Sequence, residues 1–206
     1  PLAFVGAGAI GVGGALVATR IVPRVMRFAG LPQDLQGLRI LQLTDLHVGA
    51  FMDPAGVEAL VEAARPHQPD LVVLTGDICD HLPWLQPTLA AVLTLRPRLG
   101  ILAALGNHEH YRGRAASFRG YEAVGIDLLL DASRVVRVGE AELLVAGVDD
   151  PARAKREDHY ARAIATALDG TPEDAFRLGL CHRPSGFGDL ARARVDLTLS
   201  GHTHAG

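Results

Sequence analysis

Five short blocks of this chain concentrate residue types that bind metal ions. They are Asp45-Leu46-His47, Gly76-Asp77, Gly106-Asn107-His108-Glu109, His182, and Gly201-His202-Thr203-His204. Any one of them alone is ordinary, because a single Asp or His after a strand is usually a turn residue or a satisfied hydrogen-bonding group. Together they are not. So many carboxylates and imidazoles on one rim are costly without a cation to neutralise them. Imidazole plus carboxylate, with no thiolate, suits Mn, Fe or Zn. In an extended segment residues two apart share a side, which predicts that His202 and His204 face one site, and Asp45 and His47 likewise. Asp77 has two carboxylate oxygens and can bridge two ions.

The elements that must position these residues follow from the hydrophobic pattern. "LRILQLTD" reads as a buried strand, and Asp53 with Pro54 as the N-cap and first residue of a helix. Val57, Leu60, Val61 and Ala64 follow at helical spacing. "LVVLTGD" and "GILAALGN" read as strands, with a helix at "LQPTLAAVLTL" between them and another around Ala115 to Val124. "DLLL", "RVVRV" and "ELLVAGV" predict three shorter strands. After a charged stretch leading into a helix come the strand "FRLGLCH", a short helix over Ser185 to Ala193, and a last strand in "VDLTLSGH". Strands alternating with helices predict an α/β fold with largely parallel pairing. All five blocks fall at carboxyl ends of strands, where open α/β sheets bind ligands.

Composition limits the alternatives. The chain has 206 residues, 49% hydrophobic and 21% charged, enough for one sizeable α/β domain. A net charge of −3 provides no broad basic field and argues against non-specific nucleic-acid binding. Cys79 and Cys181 form no CxxC and read as reduced, space-filling residues. Residues 1–19 form an apolar, Gly-rich segment followed by Arg20, Arg24 and Arg27. That pattern reads as a clipped membrane anchor whose basic flank keeps the following domain cytoplasmic. A Gly-rich piece packed on the domain, or the remnant of a signal sequence, is the competing reading. Gly6, Gly8 and Gly11 spell G-x-G-x-x-G, but no acidic residue follows at the distance a dinucleotide site requires. Residues 20–37 then read as a linker and 38–206 as the domain.

The order D-x-H, G-D, G-N-H-E, H, G-H-x-H resembles the calcineurin-like metallophosphoesterase superfamily, over nearly all of the domain from Asp45 to His204. The resemblance implies two packed mixed β-sheets flanked by helices, and two divalent metal ions (Mn, Fe or Zn). It assigns Asp45, His47, Asp77 and His204 to one ion and Asp77, Asn107, His182 and His202 to the other. It also implies hydrolysis of a phosphoester or phosphoanhydride by a hydroxide between the ions. His108 would contact the phosphate and assist the leaving group, and Glu109 would orient its neighbours. The flanks "GLRILQLTDLHVG", "PDLVVLTGD", "CHRP" and "LSGHTH" are similar to a bacterial branch that is often membrane-anchored and includes UDP-diacylglucosamine hydrolases. This implies a small-molecule or lipid-linked substrate, a membrane surface as a candidate partner, and a location at the cytoplasmic face of the inner membrane or in the cytoplasm. "GDICDHL" lacks the Arg-Gly that protein Ser/Thr phosphatases carry after this block. A nuclease or cyclic-nucleotide phosphodiesterase with the same metal pattern is the alternative activity. A scaffold without catalysis should have lost ligands, and all seven matched ligands and His108 are present. Arg112, Arg114 and Arg119 form a basic stretch after the third block. Arg112 and His110 are candidates for substrate contact, against the alternative of a solvated helix face. The family continues with glycine where this chain has Ala205, so closing strands are expected beyond Gly206.

Overall fold

The computed structural model describes residues 2–8, 20–152 and 158–204. The strands are β1 (Leu2–Gly8), β2 (Arg20–Met26), β3 (Arg39–Thr44), β4 (Leu71–Thr75), β5 (Ile101–Ala104), β6 (Asp127–Leu128), β7 (Ala132–Val138), β8 (Ala141–Val148), β9 (Phe176–Cys181) and β10 (Leu197–Leu199). The helices are α1 (Pro54–Ala64), α2 (Leu85–Leu93), α3 (Asn107–Ala123), α4 (His159–Leu168) and α5 (Phe187–Arg192).

The strands form two sheets, one ordered β2-β1-β3-β4-β5-β6 and the other β10-β9-β8-β7. Pairing is parallel except for β2 on β1 and the β7–β8 hairpin. Alternation along each strand of the first sheet divides its side chains between two cores. Ile40, Leu71, Val73, Leu102 and Ala104 pack against Val145, Leu178, Leu180 and Leu199 of the second sheet. Leu41, Leu43, Val72, Leu74 and Ala103 pack outward against Val57 and Leu60 of α1, Leu89 of α2 and Tyr121 of α3. Every residue of β4 is buried, as a central parallel strand covered on both faces requires. Each buried aliphatic side chain contributes about 1.5–3 kcal/mol. A smaller core under α4 and α5 joins Ile164 and Leu190 to Val148 and Cys181. Cys79 and Cys181 are free and buried. Burial pushes their thiols up, to about 11 and about 12 respectively.

The secondary-structure elements differ from the sequence expectation in three places. Arg20–Met26, expected as linker, is strand β2; Ile21, Val22 and Val25 favour the extended state, and Pro23 is tolerated because β2 is an edge strand. Leu2–Gly8 is strand β1, parallel to β3; the rest of the expected anchor, 9–19, lies outside the described residues. Among the described residues no helix is long and apolar enough to cross a membrane. Finally, α3 begins at Asn107 and not near Ala115, because its polar first turns are anchored by the Glu109 carboxylate, which accepts from Gly106 N at 2.9 Å. Gly113, at φ 135°, kinks this helix and hid its first half from the sequence pattern.

Candidate metal centre

The carboxyl ends of β3, β4, β5, β9 and β10 converge where the two sheets meet, and their loops are laced to one another. Asp45 N donates to Gly76 O at 3.1 Å, His47 N to Asp77 O at 2.9 Å, and Gly201 N to His182 O at 2.9 Å. His202 N donates to the Asp45 carboxylate, at 2.9 and 3.0 Å to its two oxygens. Gln42, buried on β3, spans both sheets, its Nε2 donating to Thr75 Oγ1 at 2.6 Å and Ser200 O at 3.0 Å. Two glycines permit the close approach: a Cβ on Gly201 would run into Thr44 Oγ1 and Asp45 Oδ2, and one on Gly106 into Asp77 Oδ1.

The backbone delivers the side chains differently from the extended alternation expected. Asp45 (φ 53°), His47 (φ 44°), Asp77 (φ 53°), His202 (φ 73°) and His204 (φ 51°) all adopt left-handed conformations. Each costs roughly 1–2 kcal/mol for a residue with a Cβ. Such strain persists where surrounding bonds over-determine it, and it clusters at functional sites.

The side chains converge in two groups sharing one rim. Asp45, His47 and His204 can each offer a ligand atom within 4.8 Å of the others, and so can Asp77, His182 and His202. His47, Asp77 and His108 form a third such group between them. His47 Nε2 faces His204 Nε2 at 3.1 Å, and His204 Nε2 lies 3.7 Å from Asp45 Oδ1. Asp77 Oδ2 lies 3.2 Å from His182 Nε2 and 3.7 Å from His47 Nε2, so one carboxylate reaches both groups. Asn107 Oδ1 and His182 Nε2 are buried and make no hydrogen bond among the described residues. Buried polar atoms are normally paired; His182 Nε2 belongs to the second group, 3.2 Å from Asp77 Oδ2, and Asn107 follows the Gly106 turn that packs on Asp77. The donor set, imidazole nitrogens with carboxylate and amide oxygens, fits Mn, Fe or Zn.

The far ring nitrogens are already engaged. His182 Nδ1 donates to Thr75 O at 2.8 Å, and His47 Nδ1 to Asp80 Oδ2 at 2.9 Å. This orients each Nε2 toward the centre, the outer-shell arrangement typical of metal-binding histidines. Burial works to lower the His182 imidazole, but the adjacent Asp77 carboxylate and the Thr75 carbonyl outweigh it and raise it to about 9. Burial likewise pushes Asp77 up, but His182 and the His108 backbone N–H bring it down to about 2. Burial lowers His47, and also His202, where the neighbouring His182 adds to the effect.

Sequence reasoning missed Asp80. Its buried carboxylate accepts from His47 through Oδ2, and through Oδ1 from His108 Nδ1 at 2.6 Å and Arg112 Nε at 3.1 Å. The available signal was an acid three residues after Asp77, in "GDICD". His110, a candidate substrate contact, is engaged elsewhere: its Nε2 bonds Asp149 Oδ1 at 2.8 Å.

Glu109 is 1% exposed and knits two ligand loops together. It accepts from Asp77 N and Gly106 N through Oε2, both at 2.9 Å, and from Ile78 N through Oε1 at 2.7 Å. Burial and the Asp77 charge push its carboxyl up, against the pull of these three donors. Glu109→Gln would turn an amide N–H toward a backbone donor and leave buried groups unpaired. It is expected to cost about 1–3 kcal/mol of unfolding free energy and to weaken metal binding. Urea titration and metal analysis check both; a variant as stable and metal-rich as the parent would deny Glu109 this role.

Comparisons with known proteins agree with this geometry. The model of the calcineurin-like phosphoesterase family matches residues 38–206, which include all of these rim residues. The chain is 32% identical over 184 residues to a transmembrane protein with metallophosphoesterase domain from Danio rerio, covering 85% of this chain and 42% of that protein. It is 33% identical over 185 residues to an uncharacterized metallophosphoesterase from Aquifex aeolicus, covering 85% of this chain and 66% of that protein. It thus spans less than half the length of the Danio rerio relative. The crystal structure of a 5'-nucleotidase precursor from Thermus thermophilus shares the fold, with a TM-score of 0.52 at 18% identity over 79% of this chain and 41% of that one. On the extent of the family match and the identity of its relatives, the chain belongs to the calcineurin-like phosphoesterase family.

Proposed function

We propose that the protein hydrolyses a phosphoester or phosphoanhydride with two divalent cations held at the sheet junction. Asp45, His47, Asp77 and His204 would hold one, and Asp77, Asn107, His182 and His202 the other. The observation that carries the reading is Asp77 Oδ2, within 3.7 Å of an imidazole nitrogen of each group. Bound cations would supply a water acidic enough to attack phosphorus and would neutralise the phosphate oxygens.

The remaining steps belong to the chain's own residues. His108 is partly exposed beside His47, with a ring-centroid separation of 4.5 Å. Its Nδ1 is tied to Asp80, which leaves Nε2 to face substrate and to give a proton to the departing oxygen. Asp80 therefore fixes two rings at once, the proposed ligand His47 and the proposed acid His108. Glu109 and Gln42 hold the loops on which these residues sit.

A membrane-proximal substrate is the finer reading, in which a lipid-linked phosphoester meets a site facing the cytoplasmic side of a bacterial inner membrane. It is supported by the motif flanks and by the transmembrane designation of relatives from Danio rerio and Bos taurus. Hydrolysis of an aryl phosphate by the Mn-loaded protein in water enriched in ¹⁸O tests the reaction. One labelled oxygen per phosphate released is expected. Turnover that persists undiminished after exhaustive chelation would contradict it.

A further inference from the structure

The three arginines around the rim differ in what their guanidinium groups already hold. Arg114 gives both Nε and Nη2 to Asp149 Oδ2, at 3.2 and 3.0 Å. Arg183 gives Nε to Asp150 Oδ2 at 2.8 Å and Nη2 to Ala152 O at 3.2 Å. Arg112 gives only Nε, to Asp80 Oδ1, and its side chain is 50% exposed. Neither of its Nη groups makes a hydrogen bond among the described residues. The oxygen that anchors Arg112 also takes His108 Nδ1, so guanidinium and imidazole sit side by side. They are four residues apart on α3 and share one face. Gly113, at φ 135°, breaks the helix immediately after Arg112.

We infer that Arg112 is a phosphate clamp that favours a phosphomonoester, or the terminal phosphate of an anhydride, over a phosphodiester. The inference rests on the hydrolytic reading above. A guanidinium pinned at Nε presents its remaining N–H groups as a planar fork, suited to phosphate oxygens. A diester has two non-bridging oxygens, which two cations would occupy. A monoester or terminal phosphate has three, and the third, with its extra negative charge, is left for Arg112. Arg114 and Arg183 have each given both Nε and Nη2 to protein acceptors, so less of their donor fork is left for a phosphate than at Arg112.

The test uses the Mn-loaded protein with p-nitrophenyl phosphate and bis(p-nitrophenyl) phosphate as probes, and inorganic phosphate as a ligand followed by calorimetry. Arg112→Ala should lower kcat/KM for the monoester roughly 10–100-fold, the range for a charge-assisted hydrogen bond. The diester should fall less than about threefold, and phosphate affinity should weaken with the monoester. Arg112→Lys, which keeps the charge without the fork, should recover part of both and serves if the alanine variant folds poorly. Equal losses on both esters with unchanged phosphate affinity would overturn the inference and make Arg112 a support for Asp80 and His108. No loss on either ester would overturn it too. If the parent protein hydrolyses neither ester yet binds phosphate in an Arg112-dependent way, the clamp stands and the hydrolytic reading fails.

Discussion

Asp77→Ala is expected to strip both metal positions at once, leaving the purified protein nearly metal-free and inactive. The reason is geometric. One carboxylate oxygen of Asp77 lies 3.2 Å from His182 and 3.7 Å from His47, so cutting the side chain back takes the second group's only carboxylate and leaves the first with Asp45 alone. The loss extends to the neighbouring loop, because Asp77 Oδ1 also accepts from His108 N at 2.8 Å and fixes the start of α3. His204→Ala and His182→Ala each remove an imidazole from one group only, and each should lower metal content by about half. Elemental analysis of the three variants distinguishes these outcomes. Full metal content in Asp77→Ala would remove its bridging role.

His108→Ala should do the opposite, keeping its metals while turnover falls roughly 10²–10⁴-fold, the usual contribution of a positioned general acid. His108 is not in the proposed ligand sets, and the carboxylate beside it keeps a second partner in His47. Loss should appear in kcat more than in KM, and should shrink for substrates whose leaving group needs no proton. An undiminished kcat toward an ester with a poor leaving group would remove His108 from the chemistry.

Much of this site was legible in the sequence, for a physical reason. Buried parallel strands read as apolar runs, and the polar residues that interrupt them must lie at strand ends, as Asp45, Asp77, Asn107 and His182 do. That His202 and His204 face one site was legible, but the backbone that aims them was not. Both face the site from left-handed turns, which depend on contacts with Asp45, His182 and Gln42 far away in the chain. Asp80 was hidden for a similar reason: its partners His108 and Arg112 lie 28 and 32 residues away. The helix that carries those two residues was itself obscured, since a polar segment with Gly113 inside carries no apolar stripe. Strand β2 was missed because Pro23 and three arginines between 20 and 27 argue against a strand unless it lies at a sheet edge.

The central claim is that this rim holds two cations that act together. The most direct measurement is titration of chelator-stripped protein with Mn²⁺, following heat and aryl phosphate hydrolysis in the same samples. The account expects two equivalents per chain, with hydrolysis rising as the second is taken up. A single equivalent that restores full activity, or no saturable binding at all, would contradict it.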